Sequence, residues 1–220
     1  MFFFLPTILL LFLTFFLLLP ILFLLGYFHI LTLGFEKLGI SPLATFLILF
    51  FILLGSAVNV PLTKKKLVYK IESRFLGLWK TPIIKAEGLA INLGGAIIPL
   101  LLSFYFLYKG WQAGFSLQPI FLAAFLMTII CKFLARIVPG KGIAMPLFIP
   151  PLFSVIFALA LFPEFAAPTA FVSGVLGTLI GADLLNLKKV QRISPGFISI
   201  GGAGVFDGIF LVGIVSALLS

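Results

Sequence analysis

Apolar residues run through this chain in long stretches, and charged residues fall between the stretches rather than among them. A helix needs roughly 20 apolar residues to cross a hydrocarbon core of about 30 Å, and seven stretches answer to that. They cover residues 2–25, 41–60, 89–108, 117–135, 143–162, 165–187 and 200–219. The first reads as a span rather than a signal peptide, because it lacks a basic leading region and its apolar stretch is too long. The pattern predicts an all-α polytopic membrane protein of about seven transmembrane helices, forming one domain over 1–220.

One segment departs from this pattern. Residues 61–88 open on Lys64, Lys65 and Lys66 and then alternate, with Leu67, Tyr69, Ile71 and Phe75 set against Lys70, Glu72 and Arg74. A period of two is that of a strand. With a turn around Gly77 to Pro82 and a second apolar stretch from Ile83, this basic loop reads as a β-hairpin at the cytoplasmic interface after the second helix. Two roles stay open: a ribbon held on the surface by anionic lipid, or an edge that receives an extended peptide.

Charge sets the sidedness. Lysines and arginines collect in alternate loops: Lys64 to Lys85 after the second stretch, Arg136 and Lys141 after the fourth, and Lys188, Lys189 and Arg192 after the sixth. The opposite loops hold only Lys37 and Lys109. Basic loops mark the cytoplasmic face, which places the N-terminus inside and the C-terminus outside. Composition agrees: of 220 residues 62% are hydrophobic and 10% charged, with a mean hydropathy of +1.32, which excludes a water-soluble domain. The net charge of +9 does not argue for nucleic acid, since the bases flank apolar runs. Membrane lipid is the expected partner. Cys131 and His29 are single, so neither an intramolecular disulfide nor a zinc cluster is expected, and no metal or cofactor is called for.

The chemistry therefore falls to carboxylates. Of six acidic residues only Asp183 and Asp207 lie inside apolar sequence, where an ionisable group is costly and points to function. Asp183 stands five positions before Lys188, roughly 7 Å into its helix. If Gly201 to Gly204 opens the last span, Asp207 sits about one turn inside it, at a similar depth. Gly174, Gly177 and Gly181 on one span and Gly204 and Gly208 on the next let two backbones approach. Asn186, one turn beyond Asp183, is a hydrogen-bond donor, and Asn59 and Asn92 fall at the same cytoplasmic end. Pro146, with Pro150 and Pro151, marks a break in the fifth span, which is tolerated where backbone lines a cavity. Two carboxylates in a poorly solvated site share one proton and divide general acid and base work between them. The same aspartates would also serve a proton- or cation-coupled transporter or channel, or bond helices together in a non-catalytic scaffold.

Four stretches, Phe35 to Pro42, Gly55 to Pro61, Gly181 to Leu187 and Gly202 to Phe210, resemble an uncharacterised family of bacterial and archaeal multi-span proteins. That resemblance implies a prokaryotic cytoplasmic membrane and no particular activity. Aspartates on consecutive spans, the second introduced by Gly202-Ala203-Gly204, are in addition similar to the presenilin, signal-peptide-peptidase and prepilin-peptidase group of intramembrane aspartyl proteases. Carried over, Asp183 matches the first catalytic aspartate and Asp207 the second, and a membrane-inserted peptide is the implied substrate. Ala182 stands where presenilins have tyrosine, Val205-Phe206 separates the Gly-x-Gly element from Asp207, and Gly142 to Pro146 is the surrogate for a Pro-Ala-Leu element.

Overall fold

The computed structural model describes residues 18–20, 26, 29–30, 32–63, 66–74, 79–138, 142–146, 148–193, 197–202 and 218. In chain order the elements are α1 (Pro42–Ser56), β1 (Asn59–Pro61), β2 (Lys66–Arg74), β3 (Trp79–Asn92), α2 (Ile98–Gln112), α3 (Gln118–Leu134), β4 (Arg136–Val138), β5 (Gly142–Ala144), α4 (Ile149–Leu161), α5 (Ala166–Gly177), α6 (Leu187–Ile193) and β6 (Phe197–Ile200). A π-helical turn, Leu93–Ile97, leads into α2, and a second, Thr178–Leu184, prolongs α5. Among the described residues the chain is mostly helical, with a few short strands.

Local chemistry sets the helix starts. Pro42 opens α1 with its fixed φ, and the Ser41 hydroxyl accepts from the Ala44 N–H at 3.4 Å. Prolines likewise stand in the first turns of α3 and α4, where a missing N–H costs nothing, and Pro99 stands where the π turn passes into α2. Between α2 and α3 the chain reverses through Gly114 at φ +78, and the Phe115 N–H donates to the Gly110 carbonyl at 3.0 Å.

The helices are apolar on nearly all sides. Phe133 is 82% exposed, and Leu43, Phe148 and Trp111 also lie on the surface. The buried set includes Thr45, Ser103, Ser154, Thr169, Ser173, Thr178 and Asp183. A surface of this kind suits lipid rather than water. Among the described residues two helical runs, Leu93–Gln112 of 20 residues and Pro163–Gln191 of 29, are long and apolar enough to cross a membrane. α5 is the hub: every residue of it except Leu176 is buried, and Phe171 meets Phe106 of α2 edge-on with centroids 5.2 Å apart. A Cβ on Gly177 would come within 2.9 Å of the Met127 backbone, and one on Gly181 would strike the Thr128 carbonyl. These glycines bring the α5 run against α3. The sequence pairs them with the last span, whose residues from 203 to 217 lie outside those described.

The predicted hairpin is present as β2 and β3, an antiparallel ladder running from Lys66↔Glu87 to Arg74↔Trp79. Its second strand differs from the expectation at both ends. β3 begins at Trp79, so Pro82 stands in the ladder opposite Ile71 rather than in the turn. At the far end β3 continues to Asn92, pairs with β1 through Asn59↔Asn92 and Pro61↔Ala90, and takes β6 in parallel through Gly88↔Phe197 and Ile91↔Ile200.

These strands redraw the expected spans. The second ends as helix at Ser56, the third begins as helix only at Leu93, and the fifth splits into β5 and the 13-residue α4. Where the seventh was to start, Ile200 is strand. Hydropathy does not separate apolar strand from apolar helix, and Val60, Ile91, Ile137, Ile143, Ile198 and Ile200 are β-branched residues that suit a ladder. Two helices thus have spanning length where seven were expected; α1, α3 and α4 are shorter apolar helices, and the first and seventh stretches lie almost wholly outside the described residues.

Candidate functional site

Asp183 sits in the π-helical turn Thr178–Leu184 and is only 4% exposed. A π turn inserts an extra residue and re-aims the side chains that follow. One carboxylate oxygen, Oδ2, accepts the Gly201 N–H at 2.8 Å. The other, Oδ1, is buried and has no hydrogen-bond partner among the described residues.

Gly201 is brought there by the sheet. Ile200 pairs with Ile91, so the next residue leaves β6 level with Asn92. The chain turns at Gly201 with φ +66, a conformation that glycine adopts freely, and the Gly202 N–H donates back to the Ser199 carbonyl at 3.1 Å. A Cβ on Gly201 would stand 2.7 Å from Ala96 Cβ, and one on Gly95 would run into the Gly201 carbonyl. On its other side the same π turn meets α1, where a Cβ on Gly55 would lie 2.9 Å from the Gly94 nitrogen. Backbone therefore packs on backbone from α1 through Gly94 and Gly95 to Gly201, and Asp183 closes the stack.

Beside it lies a polar knot. Asn92 caps the π turn by accepting from the Gly95 N–H at 2.7 Å, and it donates to the Ser56 carbonyl at 2.7 Å and to Asn59 Oδ1 at 3.1 Å. The Ser199 hydroxyl also donates to Asn59 Oδ1. α1, β1, β3 and β6 are joined at this point.

The structure thus brings Asn59 and Asn92 together, and holds Asp183 against the turn that contains Gly202. Asn186 is a donor, as expected, and its amide donates to the carbonyls of Gly181 at 3.1 Å and Ala182 at 3.0 Å in the π turn before it. Gly181 serves the contact with α3, and Pro146 is exposed after β5. Asp207 and Gly204 lie outside the described residues. The residues that sequence reasoning passed over are Gly94, Gly95 and Ser199. A glycine doublet two residues after an asparagine, at the head of an apolar run, was the available signal for the first two.

No curated protein and no solved structure matches this chain. The pattern of the protein family of unknown function DUF1614 matches residues 53–219, which takes in the sheet, the glycine stack and Asp183. The chain belongs to that family.

Proposed function

We propose that this chain is an intramembrane aspartyl protease-like hydrolase, cleaving a peptide bond of a membrane-inserted substrate with Asp183 and Asp207. The observation that carries the reading is the buried Asp183 carboxylate, one oxygen fixed by the Gly201 N–H and the other open among the described residues. Asp207 follows Gly201 by six positions, so the turn that Asp183 holds is the root of the segment bearing the second carboxylate. In a dry site the pair keeps one proton. The protonated member polarises the scissile carbonyl while the ionised member takes a proton from water. The water oxygen adds to the carbonyl carbon, the C–N bond breaks, and the proton passes to the leaving amine. We assign Gly202 and Gly204 to the approach of a substrate backbone, and the knot of Asn59 and Asn92 to the wall beside it. Seven spans in a prokaryotic cytoplasmic membrane, with no cofactor, complete this reading.

The open oxygen of Asp183 also favours a second reading, in which the aspartates carry a proton or cation along a polar path. The two readings are told apart by Asp183→Asn and Asp207→Asn in proteoliposomes that hold a panel of single-span reporter peptides. The hydrolase reading expects both variants to stay folded and to lose cleavage. Loss of an ion flux with no cleavage in the unaltered chain selects the carrier. The pairing itself is checked with cysteines at 183 and 207 in a Cys131→Ala background and a short bifunctional thiol crosslinker. Joining is expected; two reactive thiols that do not join remove the pair.

A further inference from the structure

The β2–β3 ladder sorts its residues by face. Residues directly opposite each other share a face, and successive residues alternate. The register therefore puts Leu67 with Ala86, Tyr69 with Ile84 and Ile71 with Pro82 on one face, bounded by Ser73 and Lys80 at the outer end. The other face takes Lys66 with Glu87, Val68 with Lys85, Lys70 with Ile83, Glu72 with Thr81 and Arg74 with Trp79. Three consecutive rungs on one side carry no charge, while Lys66, Lys70, Arg74 and Lys85 outnumber Glu72 and Glu87 on the other. Lys64 and Lys65 immediately precede the ladder and add to the excess.

A two-stranded ribbon with one apolar face is not stable free in water. Two features say what it rests on. The excess of positive charge on the ribbon complements an anionic surface. Its second strand runs without interruption into Asn92, which caps the head of Leu93–Gln112, a helix of membrane-crossing length, so the ribbon leaves the helix bundle where such a helix ends. Nine rungs extend it by about 30 Å.

We propose that the β2–β3 ribbon lies flat in an anionic leaflet, with the face to which the register assigns Leu67, Tyr69, Ile71, Pro82, Ile84 and Ala86 turned to the acyl chains and the basic face level with the lipid phosphates. The proposal does not rest on the aspartate pair. It is tested on the full-length chain in nanodiscs of phosphatidylglycerol or of phosphatidylcholine. Single cysteines at positions 67 to 72, in a Cys131→Ala background, carry a nitroxide whose collisions with oxygen and with an aqueous nickel chelate are compared. In phosphatidylglycerol, 67, 69 and 71 should favour oxygen and 68, 70 and 72 the chelate. In phosphatidylcholine that alternation should be lost, and Lys66→Gln, Lys70→Gln and Lys85→Gln together should weaken it in phosphatidylglycerol. Absence of alternation in phosphatidylglycerol overturns the proposal. Equal alternation in both lipids, or indifference to the three substitutions, also overturns it, because lipid charge then does not hold the ribbon.

Discussion

Asp183 gives the Gly201 N–H its acceptor inside a buried site, so its removal has a structural cost apart from any chemistry. Asp183→Ala orphans that N–H, and we expect a loss of about 1–3 kcal/mol, read as a lowered Tm in detergent. Asp183→Asn keeps an oxygen in place to accept the same bond, so its Tm should lie closer to that of the unaltered chain. Gly201 is under two constraints at once, a φ of +66 and the Ala96 Cβ, which an added Cβ would meet at 2.7 Å. The backbone strain of Gly201→Ala alone costs roughly 1–2 kcal/mol, and the collision adds to it. Thermal unfolding should therefore place Gly201→Ala below Asp183→Asn; a Gly201→Ala chain as stable as the original would show that the turn is elsewhere.

At the scale of elements, α5 reaches α3 closely only because Gly177 and Gly181 carry no side chain. Gly177→Val inserts atoms where the Cβ and backbone of Met127 already stand, and overpacking of this kind costs about 1–3 kcal/mol or more; loss of folded yield in detergent is the expected result, and Met127→Ala should not restore it, because alanine keeps the atoms that are struck. The small-residue spacing of Gly177 and Gly181 was legible in the sequence, although the partner they meet was not, because spacing shows which face is small and not what lies opposite. The period-two stretch from Leu67 to Arg74 was likewise legible as a strand. Leu89 to Asn92 and Ile198 to Ile200 were not, since each is short, uncharged and joined to a longer apolar run, so that hydropathy counts it as helix. For the candidate site the consequence is specific. Asp183 stood out by charge, whereas its donor at Gly201 is a backbone N–H, a group that every residue but proline owns and that only the β6 pairing selects.

For the whole molecule, the contact between Ser199 and Asn59 joins residues 140 positions apart, and α2 to α6 all lie between β3 and β6 in the chain. A chain ended after Lys189 should keep the β2–β3 ladder yet expose the amides of residues 88 and 90, which face β6; hydrogen–deuterium exchange would report them as fast in the shortened chain and slow in the full one. The same separation bears on how the protein is made. At about 5–20 residues per second a ribosome needs on the order of ten seconds to travel from β1 to β6, and throughout that time one edge of β3 is open at the base of a growing helix bundle. Asp183 emerges before the turn that engages it. The nascent chain therefore seats the Asp183 carboxylate on its backbone donor only after α2 to α6 have been laid down.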